Sequence, residues 1–129
     1  MELHELRVLV EQDSQIDDTQ LDTESLRLPA LHNKYLNFYH DAKLRYEKAT
    51  NEYNRLYRLK WEYYTGKIDQ ETLDKKGWEP FQHNILKQDI PIFMNSDEDL
   101  CKRKEVITYI KSIVEYLEEV VKEITFRHT

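Results

Sequence analysis

The sequence predicts a mainly α-helical protein, built on long helices with coiled-coil-like seams and assembling into a homo-oligomeric helical bundle or ring. Three observations lead there. Helix breakers are scarce, with two glycines and three prolines in 129 residues. Charged residues make up 34% and hydrophobic residues 40%, a balance suited to helices that each bury one stripe. Two long segments also carry apolar residues at alternating spacings of four and three, the coiled-coil repeat of about 3.5 residues. The expected organisation is one helical domain over 1–129. Helices and a candidate binding segment occupy 1–66, an irregular connector 67–96, and an oligomerisation helix 97–129.

At the start of the chain, Leu3, Leu6, Val8, Leu9 and Val10 predict a short amphipathic helix, broken by the polar run 11–15. Asp18 or Thr19 is placed to cap a second helix, with Leu21, Ser25 and Leu26 in its first turns. Pro29 cannot donate a backbone hydrogen bond and predicts a restart or kink. From Ala30 to Tyr64 there is neither glycine nor proline, and Gly66 stands where a helix stop belongs. Within that run Tyr35, Tyr39, Ala42, Tyr46, Ala49, Tyr53, Leu56, Lys60 and Tyr63 form one seam. Lys60 is its one charged intruder, and a cation in a tyrosine-rich seam is costly to bury.

Residues 70–76 predict a brief helix ended by Gly77, and the stretch 85–94, with Pro91 inside, reads as extended or at most an edge strand. Ser96 with the acids at 97–99 reads as a helix start. In the last segment Leu100, Ile107, Ile110, Val114, Leu117, Val121 and Ile124 form a seam, with Val106, Ile113 and Val120 in a second row beside it. Two adjacent rows need burial on both flanks, which homo-oligomerisation supplies. Ile107, Ile110, Val114, Leu117, Val121 and Ile124 are therefore the expected oligomerisation residues. The last residues, 126–129, contain no glycine or proline stop, as expected of a shortened form of a longer chain.

Catalytic chemistry finds little support. Two isolated glycines build no phosphate cradle, and the five histidines show neither HExxH nor an i, i+4 pair. One cysteine, Cys101, allows no internal disulfide and no thiolate metal cluster. The reading is a non-enzyme with no cofactor and no metal. No apolar run approaches the roughly 20 residues of a membrane span, and the N-terminus lacks a signal peptide's basic start. A cytoplasmic protein follows as the expectation.

The net charge of −6 hides a gradient. Residues 1–30 carry eight acids and two bases, whereas 43–67 carry seven bases against three acids. Screening acts over roughly 8–10 Å at cell-like salt, so a local basic segment can act despite an acidic total. Residues 55–67 read Arg-Leu-Tyr-Arg-Leu-Lys-Trp-Glu-Tyr-Tyr-Thr-Gly-Lys, alternating cations and aromatics at the end of a long helix. Binders of single strands need both: cations for phosphates, and flat faces on which exposed bases stack. Arg55, Tyr57, Arg58, Lys60, Trp61, Tyr64 and Lys67 are the candidate DNA-binding residues. The competing reading of the same residues is a core of Leu56, Leu59 and Tyr63 with solvated cations around it.

The string from Arg58 to Gly66 resembles the basic-x-basic-x-acidic-Tyr-Tyr-Ser-Gly pattern of the UvsY recombination mediators of T4-like phages. The stretch Ile-Asp-Asp-Thr-Gln-Leu at 16–21 is similar to that family's Ile-Asp-x-Thr-x-Leu. Length and helix order match over nearly the whole chain, although 70–96 match poorly. The resemblance implies a bacteriophage protein acting in DNA recombination, repair and replication within the cytoplasm of an infected bacterial host. It implies ring-like homo-oligomers, hexamer or heptamer, that bind single-stranded DNA without sequence preference. Such mediators help load a RecA-like recombinase onto strands covered by single-strand DNA-binding protein. The family's two DNA-contacting bases fall on Arg58 and Lys60, here in reversed order. Costly to bury in its seam, the Lys60 cation can face DNA at an oligomer surface. Trp61 replaces a smaller residue, so its stacking role comes from the residues and not from the family. The alternative is an oligomeric helical scaffold or adaptor that binds only protein partners.

Overall fold

The computed structural model describes residues 1–15, 21–81 and 83–128. The order is α1 (Leu3–Asp13), α2 (Leu21–Tyr64), α3 (Gln70–Lys76), a 3-10 turn at Lys87–Asp89, α4 (Ile90–Ser96) and α5 (Glu98–His128). Among the described residues there is no strand, and no helix is long and apolar enough to cross a membrane. The Asp18 or Thr19 cap lies outside the described residues. The chain divides into two compact units, residues 1–47 with 108–129, and residues 48–107.

The first unit has its core in Leu6, Tyr35, Ala42, Ile113, Leu117, Val120 and Ile124, all buried. Leu9, Leu31, Phe38, Tyr39, Val114 and Val121 pack around them. Asp13 ends α1 and ties it to α2, accepting from Lys34 at 2.8 Å and from the Tyr35 hydroxyl at 2.7 Å. Burial pushes the Asp13 carboxyl up, but these bonds outweigh it and hold the group below its usual range.

Ile113 and Val120 of the second row on α5 are buried against residues of α1 and α2 within the same chain. Their burial therefore needs no second subunit. Ile110, Leu117 and Ile124 of the main seam are likewise buried, whereas Val114 and Val121 are half-buried on its flank.

In the second unit Leu73, Met94 and Leu100 are buried. An aromatic cluster surrounds the end of α2: the Tyr64 and Phe81 rings lie 5.0 Å apart, Tyr63 and Trp78 5.5 Å, and Phe81 and Phe93 5.7 Å. The α3 helix forms as its sequence predicts. Asp69 caps it by accepting from the Thr72 N–H at 2.7 Å, and Gly77 ends it with φ 71°.

Three local expectations are corrected. The stretch read as extended, 85–94, is helical from Lys87 onward, because Pro91 sits in the first turn of α4, where no partner is lost by the missing N–H. Of the restart or kink expected at Pro29, the restart does not occur, since Pro29 lies inside one 44-residue helix. An interior proline forfeits one backbone bond, a loss that a long packed helix can carry. Ser96 does not cap α5. Its hydroxyl donates back to the Ile92 carbonyl at 2.7 Å, while Asp97 accepts from the Leu100 N–H at 2.9 Å.

Candidate nucleic-acid interface

Successive α-helical residues lie about 100° apart, so the last turns of α2 divide the candidate residues between two faces. Leu56, Lys60 and Tyr63 turn inward, while Arg55, Tyr57, Arg58 and Trp61 turn outward. The Arg58 side chain is 83% exposed and pairs with Glu62 one turn on, at 3.2 Å. Tyr57 and Trp61, also one turn apart, expose 43% and 37% of their surface. Tyr53 backs Tyr57 at 6.0 Å between ring centroids.

The helix stop completes this outer face. Gly66 adopts φ +75°, in the left-handed region that glycine enters without penalty. The N–H of Lys67 then reaches the Glu62 carbonyl at 2.8 Å and that of Gly66 reaches Tyr63 at 3.3 Å, the paired bonds of a Schellman stop. The reversal lays the Lys67 ammonium 4.5 Å from the centroid of the Trp61 ring. A cation over an indole face restrains both groups. One exposed strip thus presents Arg55, Tyr57, Arg58, Trp61 and Lys67.

Lys60 and Tyr64 lie beneath it. The Lys60 ammonium is 2.8 Å from Asp99 and 3.2 Å from Asp97, and 4.1 Å from the Trp78 centroid. The Tyr64 hydroxyl donates to Asp97 at 2.6 Å. Burial pushes the Asp97 carboxyl up, but bonds from Tyr64, the Leu100 N–H and Lys60 outweigh it and leave the group below its usual range. Burial and the bond to Asp97 raise the Tyr64 hydroxyl. The structure therefore supplies the compensation that the charged intruder in the seam requires. Asp97, Asp99 and Trp78 are the residues that reading the sequence missed. A cation in an apolar seam was the available signal, since it calls for a carboxylate elsewhere in the chain.

The description "Recombination, repair and ssDNA binding protein UvsY" belongs to the family whose profile matches residues 9–128. The chain belongs to the UvsY family. Crystal structures of the bacteriophage T4 recombination mediator protein UvsY share its fold. In one lattice the TM-score is 0.85 at 20% identity, covering 99% of this chain and 88% of that one. In another it is 0.82 at 19% identity, covering 96% and 89%. No curated protein matches the chain. The resemblance read from the Arg58–Gly66 string thus extends to the family and the all-helical fold. UvsY proteins of this fold can differ in four residues of five, so the side chains of the strip are weighed on their own geometry.

Proposed function

We propose that this UvsY-family chain is a recombination mediator that binds single-stranded DNA without sequence preference through the exposed strip on α2. The observation that carries the reading is the Lys67 ammonium over Trp61, beside exposed Tyr57 and Arg58. Arg55, Arg58 and Lys67 take phosphates, and Tyr57 and Trp61 offer faces to bases. Each stacked base contributes about 1–3 kcal/mol, and nothing in stacking distinguishes one base from another. Lys60 and Tyr64 support the strip from within, through Asp97 and Asp99. The work is positioning and remodelling of a strand, with no bond made or broken.

In a homo-oligomer the strip would recur once per subunit, and effective concentration would turn a weak site into a strong one. Val114 and Val121, on the flank of α5, pack partly against the core of their own chain, and a second subunit would cover the part of each that stays exposed. The same flank would serve a protein-only scaffold, which is the second reading.

Loading separates the two. With a strand coated by single-strand DNA-binding protein, the chain should shorten the lag before a RecA-like recombinase hydrolyses ATP. An unchanged lag, with the chain present in excess, would favour the scaffold.

A further inference from the structure

A cavity of about 210 Å³ opens at the end of α2, with Tyr64, Gly66, Phe81, His83, Asn84 and Lys87 among its lining residues. One side of it is aromatic. Phe81 meets Tyr64 edge to face at 5.0 Å and His83 at 5.4 Å, so each ring restrains the next. Its polar groups are of a different kind from those of the strip. The Asn84 amide offers both donors and an acceptor, the His83 imidazole adds ring nitrogens, and Lys87 brings one cation. Gly66 leaves the approach open, since a Cβ placed there would meet nothing within 4 Å. The next residue is Lys67, the cation lying over Trp61. Cavity wall and strip are therefore consecutive along the backbone.

Aromatic rings beside a mainly polar lining suit a nucleobase taken out of its stack, which is recognised by stacking and by hydrogen bonds to its edge. We propose that this cavity takes one unstacked base of the strand held by the strip, an inference that rests on the DNA-binding reading above. An amide that both donates and accepts can serve the edge of any base, so the cavity adds affinity without demanding a sequence. Lys87 is placed for the phosphate of the inserted nucleotide.

The test uses the full chain and a single-stranded oligonucleotide carrying 5-iodouracil, which cross-links on irradiation to an aromatic side chain in contact with it. Adducts on Phe81 or His83 are expected, alongside adducts on Trp61 or Tyr57. Adducts confined to Trp61 and Tyr57 would overturn the cavity and leave the strip standing. Absence of binding by the wild type at low salt would overturn both. The variant His83→Ala with Asn84→Ala changes two exposed residues outside the helices, so its helicity should match wild type. Its affinity should fall about fivefold, the low end of one stacked base. Unchanged affinity would also overturn the cavity proposal.

Discussion

The ammonium of Lys60 lies 3.2 Å from the carboxylate of Asp97, with 7% and 4% of the two side chains exposed. This pair joins the last turns of α2 to the residue that caps the start of α5, beneath the exposed strip. Asp97 also accepts from Tyr64 and from the backbone of Leu100, so three donors converge on one buried carboxylate. Removing one partner of such a pair strands the other in a low dielectric and costs about 3–5 kcal/mol. Lys60→Met should therefore lower the urea unfolding free energy by roughly that amount. Adding Asp97→Asn to Lys60→Met should recover part of it. A Lys60→Met protein as stable as wild type would show that the pair contributes little.

The pH dependence follows from the same carboxylate. A group held below its usual range when folded stabilises the fold above its unfolded value, and loses that contribution as pH falls through the folded value. Asp97 and Asp13 both stand in this position. The urea midpoint should be flat near neutrality and fall below about pH 4. In Asp97→Asn the fall on the acid side should be shallower. An identical acid slope would remove Asp97 from the account.

Gly66 connects stability to the strip. A side chain at φ +75° strains the backbone by about 1–2 kcal/mol. Gly66→Ala should lower stability by about that much. It should also weaken DNA binding, because the reversal that carries Lys67 onto Trp61 is disturbed. Weaker stability with full binding would mean that the lysine does not depend on the turn.

Assembly should respond to the flank of α5 and not to its core. Val114→Asp with Val121→Asp places two charges on half-buried positions beside the core of the first unit, so the variant should lose stability while remaining helical, and should sediment as a smaller species. Ile110, Leu117 and Ile124 are buried within the chain, and charges there should unfold it. A Val114/Val121 variant that sediments like wild type would place the subunit contact elsewhere.

Much of the fold was legible because heptad spacing reports burial directly. All nine residues of the seam from Tyr35 to Tyr63 are buried or half-buried. The 85–94 stretch was misread because a proline was weighed as a breaker, when first-turn position makes it a helix starter. Of the second row on α5, Ile113 and Val120 were legible as buried while Val106 is exposed, and the partner that covers the first two was not legible. Periodicity shows that a face is covered and carries no information on whether the cover is the same chain. The strip was legible in composition, while the division of its cations was not. Arg58 and Lys60 are two residues apart and so fall on different faces, and only the carboxylates of Asp97 and Asp99, far along the chain, show which one is enclosed.

The most direct measurement is fluorescence anisotropy of a labelled single-stranded oligonucleotide across a salt series, for wild type and for Arg58→Ala with Lys67→Ala. Each phosphate neutralised on a single strand contributes about 0.7 to the slope of log affinity against log salt. The double variant should bind more weakly, with a slope reduced by about 1.4 per strip engaged, and with its helicity unchanged. The same affinity and the same slope in both proteins would contradict the exposed strip as the DNA-binding surface.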